Sequence, residues 1–152
     1  MNNNEIQKLF YQQKAYSQHL KKESVRDRLK KLKILEKSVL VWRERLKQAL
    51  YEDLKKPPVE ADFTEIFQVL TEVRKARKNL RYWTKPKSVN TPLTLFGSSA
   101  SIHYEPKGVV LIISPWNYPI NLTLVPLVGA LAAGNTVIIK PSEISKSSEV
   151  RI

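Results

Sequence analysis

Two short stretches carry side chains that can do chemistry. Pro115-Trp-Asn-Tyr-Pro119 sets one carboxamide, Asn117, between two aromatics and two prolines, on the shoulder of the apolar run Gly108-Val-Val-Leu-Ile-Ile-Ser114. Lys140-Pro-Ser-Glu143 closes a second apolar run, Thr136-Val-Ile-Ile-Lys140. An ammonium can donate to ribose hydroxyls and a carboxylate can accept from them, so Lys140 and Glu143 have the chemistry of a ribose clamp. They equally have the composition of a solvated surface pair. A third stretch, Gly129-Ala-Leu-Ala-Ala-Gly134-Asn135-Thr136, imitates a phosphate-binding loop. It puts asparagine where that loop needs lysine and runs from helix into strand, the reverse of the required order. The dinucleotide pattern G-x-G-x-x-G is absent. With no cysteine, the chain has no disulfide, no thiolate metal site and no cysteine nucleophile of its own. His19 and His103 stand apart from any metal-ligand partner, on a surface helix and a strand face, and no metal site is expected.

The elements that must hold these stretches follow from periodicity. From Ser24, apolar residues recur at steps of three and four (Leu29, Leu32, Leu35, Val39, Trp42, Leu46, Leu50, Leu54), which predicts one long amphipathic helix or two in sequence. Pro57-Pro58 stops it. Asp62-Phe-Thr-Glu65 has the D-x-x-E form of a helix start, and Ile66, Leu70, Val73, Ala76, Leu80 and Trp83 mark a second stripe. These two helices predict an antiparallel hairpin. After a linker at Lys85–Pro92 the period changes: Ser101–Glu105 alternates like a half-exposed strand, and Val109–Ile113 reads as a strand buried on both faces. Leu122–Ala133 is helical and ends at Gly134-Asn135, and Thr136–Lys140 is a further strand. Strand, helix and strand within about 30 residues predict a βαβ unit of a parallel sheet.

The fold class is therefore α/β: an N-terminal helical hairpin followed by the opening βαβ of a Rossmann-like domain, incomplete because one such unit leaves apolar faces uncovered. The divisions are residues 1–87 (helical segment), 88–107 (linker with a β strand) and 108–152 (first βαβ unit, truncated). Ser147-Ser-Glu-Val-Arg-Ile152 reads as the first turn of another helix, an odd place for a domain to stop.

Net charge is +12, and residues 1–87 hold 22 Lys/Arg against 11 Asp/Glu while 88–152 hold 4 against 3. Acids are interleaved with the bases, so well-solvated helices are the plain reading of the basic front. The polar start Met1–Lys8 lacks a signal peptide's apolar core, which implies a cytoplasmic setting. Ile120–Ile139 has the length of a membrane span but is broken by Asn121, Pro126, Gly134 and Asn135, so no span is expected.

Gly108–Pro119, Gly129–Asn135 and Lys140–Glu143, in that order and spacing, resemble the first cofactor-binding segment of the aldehyde dehydrogenase superfamily, and in particular its class 3 (fatty or aromatic aldehyde) branch. The resemblance covers nearly the whole chain and is most specific between Glu105 and Glu143. It implies NAD(P)-dependent oxidation of an aldehyde to a carboxylic acid. Asn117 would be the oxyanion-hole amide, a kind of donor worth about 3–4 kcal/mol. Ile113, Ser114, Pro115 and Trp116 would line the nicotinamide half of the site for NAD or NADP, Lys140 and Glu143 would hold the adenosine ribose, and Tyr118 would face either the aldehyde tunnel or the core. A homodimer is the family's expectation for the full-length protein.

In the family a cysteine thiolate attacks the aldehyde, hydride passes to NAD(P)+, and a glutamate-activated water hydrolyses the thioester. This chain departs from that pattern in having no cysteine, and it stops before the general base and the glycine-rich turn. The resemblance thus implies an N-terminal fragment that does not oxidise an aldehyde alone. Two other readings compete with it. One is a basic helical module that binds nucleic acid or an anionic membrane through Lys30, Lys31, Arg43 and Lys47, with steep salt dependence. The other is a truncated paralogue that interacts with a full-length dehydrogenase.

Overall fold

In a computed structural model, which describes residues 2–149, six helices and four short strands follow one another in the chain. Helix α1 (Asn3–Leu20) carries His19, which the sequence sets on a surface helix without giving that helix bounds. Its start is nevertheless encoded: Asn2 accepts from the Glu5 amide, while the Glu5 carboxylate accepts from the Asn2 amide, a reciprocal capping box. Helix α2 (Val25–Leu54) is capped by Ser24 and runs unbroken for 30 residues, about 45 Å. It ends at Lys55 in the left-handed region, φ 56°.

The second helix of the hairpin begins earlier than expected. Pro58 opens α3 (Pro58–Ala61) as a proline at the first helical turn, and the helical path continues through a π turn, Asp62–Ile66, into α4 (Phe67–Trp83). Asp62 is thus not a cap. Its carboxylate instead accepts from Arg43 of α2 at 2.7 and 2.9 Å, fastening the π turn to the first helix.

Leu32, Val39, Leu46 and Leu50 of α2 bury against Val69, Val73, Ala76 and Leu80 of α4, and both helices close on Leu124 and Val128 of α5 (Asn121–Ala133). The stripes read from spacing are the buried ones, but their aromatic members are not: Trp42 and Trp83 stay partly exposed, Trp42 beneath the guanidinium of Arg45.

Strands β1 (Lys87–Val89) and β2 (Ala100–Ile102) pair antiparallel as an exposed ribbon, so the linker contains a strand that alternation did not reveal, and the second strand is shorter than Ser101–Glu105. His103 lies just beyond β2 and bonds Ser101 at 2.9 Å. Strands β3 (Val109–Ile113) and β4 (Thr136–Lys140) pair parallel, from Val109 with Thr136 to Ile113 with Lys140, with α5 between them. Asn135 locks the near end, accepting from the Gly108 amide at 2.8 Å. Within residues 2–149, Leu111 and Ile113 of β3 are 58% and 69% exposed, as expected of a βαβ unit with an uncovered face. Only one face of this pair is covered, by α5, and α1 reaches the pair without closing the other. Helix α6 (Lys146–Glu149) follows, and Val150–Ile152 lie outside the described residues.

Candidate active site

The parallel register brings the ends of β3 and β4 side by side, and the Ser114 amide extends the ladder one step by donating to the Lys140 carbonyl at 3.0 Å. The two candidate stretches therefore leave the sheet from one rim, where open α/β sheets bind ligands.

From Ser114 the chain turns sharply toward α5. Ser114 is buried, and its hydroxyl lies 2.7 Å from that of Thr123, which is also 2.5 Å from the Pro119 carbonyl oxygen. A hydroxyl has one proton, so Thr123 gives its own to Pro119 and receives that of Ser114. The corner is thereby tied at both ends to the first turn of α5. Between the ties, Pro115, Trp116 and Asn117 are exposed. The Asn117 carboxamide makes no hydrogen bond to another described residue, whereas its main-chain carbonyl accepts from the Lys56 ammonium at 2.9 Å.

Lys56 and Glu65 form the polar floor of this corner. Glu65 is fully buried on the π turn, and one of its oxygens accepts from Lys56 at 2.5 Å. Its other oxygen accepts from the amides of Ile120 and Asn121, at 3.1 and 2.9 Å, which head α5. Helix starts leave such donors without an intrahelical partner, and here a carboxylate takes them at the positive end of the helix dipole. Asn121 adds a side-chain donation to the Thr64 carbonyl at 3.0 Å. The Lys56 ammonium also sits 3.8 Å from the centre of the Tyr118 ring. Tyr118 is thus partly covered by a cation at the edge of the corner.

On the β4 side, Lys140 and Glu143 are exposed and paired with each other. The hydrogen bond from Lys140 holds the Glu143 carboxyl below its ordinary value. Helix α6, which follows the loop carrying Glu143, is pinned by Asp53 at the end of α2, which accepts from the amides of Ser147 and Ser148 at 3.0 and 2.7 Å. Burial pushes the Asp53 carboxyl up, but these amides outweigh it and leave it below the ordinary range. Beside this loop, a cleft of about 900 Å³ opens between α1 and the uncovered strand face. Ile113, Lys140 and Glu143 line it together with Phe10, Leu111 and Ile138, while Ser114, Pro115, Trp116 and Asn117 do not.

The geometry thus gathers Ile113, Lys140 and Glu143 at one cleft and sets Asn117 apart on the neighbouring corner. Four supporting residues were not singled out from sequence: Lys56, Glu65, Thr123 and Asp53. Glu65 enters the sequence reading only as the last letter of a D-x-x-E helix start. The only local hint was Pro57-Pro58, which fixes the chain next to Lys56.

The aldehyde dehydrogenase family model matches residues 1–152. The 4,4'-diaponeurosporen-aldehyde dehydrogenase of Staphylococcus aureus is 46% identical over 142 residues, 93% of this chain and 31% of that enzyme. Aldehyde dehydrogenase family 3 member B1 of Mus musculus is 55% identical over 107 residues, 70% of this chain and 23% of that protein. The substrate-bound structure of Staphylococcus aureus AldH superposes with a TM-score of 0.93 at 44% identity, covering 99% of this chain and 32% of that one. The chain therefore spans between about a quarter and a third of the length of these relatives, and its helices and paired strands are those of the N-terminal part of their fold. On a match that runs from end to end, this chain belongs to the aldehyde dehydrogenase family.

Proposed function

We propose that this chain provides the oxyanion donor and the first half of the cofactor cleft of an NAD(P)-dependent aldehyde dehydrogenase, which oxidises an aldehyde to a carboxylic acid. The observation that carries the reading is the state of the donors at the corner. The amides of Ile120 and Asn121 are already taken by Glu65, whereas the Asn117 carboxamide is exposed and makes no bond to another described residue. Asn117 is the donor left to meet an oxygen on which charge develops, and the ties through Thr123 and Lys56 fix it before that charge appears.

The rim fits a dinucleotide. Lys140 and Glu143 are an exposed donor and acceptor matched to a ribose diol, next to an apolar cleft that Ile113 helps to wall. A bound ribose would exchange their mutual bond for bonds to its hydroxyls. Pro115 and Trp116, exposed on the corner, would border the nicotinamide end, with Ser114 contributing through its backbone. NAD(P)+, when bound, accepts the hydride. Glu143 suits an unmodified 2′-hydroxyl, which favours NAD over NADP. Residues 1–152 contain no cysteine, so the thiolate nucleophile, like the general base, comes from outside them, and residues 1–152 alone are expected to be inactive. A fatty or aromatic aldehyde, the substrate that the class 3 resemblance implies, goes with this reading. A cytoplasmic homodimer goes with this reading of the full-length enzyme.

The test is a chimera in which residues 1–152 replace the matching third of the Staphylococcus aureus enzyme. It should oxidise aldehydes with NAD(P)+, and Asn117→Ala should lower kcat by about 10² to 10³-fold. An active chimera indifferent to Asn117→Ala would end the oxyanion assignment.

A further inference from the structure

Glu65 is a fully buried carboxylate and Lys56 a nearly buried ammonium, and neither belongs to the stretches that carry the family's cofactor chemistry. Burying such a pair is costly, and well-packed apolar residues of similar volume often serve stability as well or better. Its location suggests another purpose. The left-handed Lys55 turn and the Pro57-Pro58 stop bring Lys56 inward at the end of α2. The π turn inserts an extra residue into the second helix just where Glu65 must face the head of α5. Such π turns are rare and cluster at functional sites. Together the two side chains grip the corner on both sides of Tyr118 and Pro119: the Asn117 carbonyl on one side, the Ile120 and Asn121 amides on the other.

We propose that Lys56 and Glu65 are positioning residues for Asn117, a charged clamp by which the helical front sets the aim of the oxyanion donor. With its carbonyl held at 2.9 Å by Lys56, the Asn117 backbone cannot swing, and only two side-chain torsions remain to place the carboxamide. This inference rests on the reading of Asn117 as the donor to the aldehyde oxygen.

The test uses Lys56→Met, Glu65→Gln and the double variant Lys56→Met/Glu65→Gln, which removes both buried charges at once. In the 1–152 chain itself, amide hydrogen exchange at Ile120 and Asn121 should accelerate at least tenfold in the two variants that replace the Glu65 carboxylate by a weaker, neutral acceptor, while Val128 in the middle of α5 is unchanged. In the chimera, kcat should fall by about 10 to 100-fold, as expected for a misplaced catalytic group, with KM for NAD+ unchanged. The double variant is decisive because the single ones leave an unpaired buried charge and can fail to fold. A clamp predicts that the double variant regains thermal stability but not kcat. Recovery of kcat together with stability would show a pair that only balances its own charge and would overturn the proposal, as would unaltered exchange at the corner. A chimera inactive with wild-type residues would instead count against the aldehyde reading, and the exchange data would still decide whether the clamp exists.

Discussion

Thr123→Val is the sharpest perturbation of the corner because it changes a hydroxyl into a methyl of nearly the same size. Thr123 is fully buried and Ser114 is 5% exposed, so water cannot replace what is lost. The substitution strands two groups at once: the Pro119 carbonyl, which loses a donor at 2.5 Å, and the Ser114 hydroxyl, which loses an acceptor at 2.7 Å. At about 1–3 kcal/mol for each buried group left unsatisfied, and allowing for partial relaxation, the loss should be about 2–4 kcal/mol. Ser114→Ala removes only the proton that Thr123 accepts and leaves the Thr123 donation to Pro119 intact, so it should cost about 1 kcal/mol. The double variant Ser114→Ala/Thr123→Val orphans the Pro119 carbonyl alone and should cost less than the sum of the two single changes, by about 1 kcal/mol. Urea unfolding of the three variants, compared at unchanged m-value, measures all of this. A Ser114→Ala loss equal to or larger than that of Thr123→Val would refute the assigned order of donors, and strict additivity would refute the shared network.

Gly134→Ala should be costly for two separable reasons. At φ 85° a side chain is strained by about 1–2 kcal/mol, and its Cβ would lie 2.7 Å from the Arg28 guanidinium carbon. Adding Arg28→Ala should therefore relieve part of the Gly134→Ala loss in a double-mutant cycle, and zero coupling would count against the contact. Acid should loosen the helical front. The hydrogen bond from Arg43 holds the Asp62 carboxyl below its ordinary 3.8, and that from Arg74 holds Glu36 below its ordinary 4.5. Carboxylates with depressed folded values add stability that is fully present above the unfolded values and is lost as pH falls through the folded ones. The urea midpoint should be level from pH 7 to about 5 and decline below about pH 4, with a shallower decline in Asp62→Asn. A decline of the same steepness in that variant would remove Asp62 from the account.

The structure separates what was legible in the sequence from what was not along a physical line. Leu32, Val39, Leu46 and Leu50 announce a helix face because burial repeats at the helical period, and Gly134 announces its end because few other residues take φ 85° cheaply. The βαβ unit was legible for the same reason. Only three motifs in order and a family resemblance join Asn117 to Lys140 and Glu143; the cleft gathers Lys140 and Glu143 with Ile113 and leaves Asn117 on the neighbouring corner. Periodicity says nothing about Ile113, whose exposure depends on which layers cover the sheet, and it misread Asp62-Phe-Thr-Glu65 because a π turn and a helix start share the same letters. Lys56 is 61 residues from the carbonyl it holds and Glu65 is 55 from the Ile120 amide.

Bonds across such separations leave no local pattern, and that asymmetry bears on how the site works. The residues that would touch substrate and cofactor come in compact motifs on one sheet rim, because parallel strands place their ends together once register is set. Those that hold them still come from a helical front whose surface reads as ordinary solvated charge. Of its charged side chains, Arg28, Lys56 and Glu65 are buried, and the last two meet the corner that carries Asn117. The basic front therefore needs no nucleic acid or membrane to account for it. Its salt bridges through Asp62 and Glu36 fasten α2 to the helix that presents Glu65, and Glu65 and Lys56 carry that rigidity to the corner of Asn117, the proposed oxyanion donor.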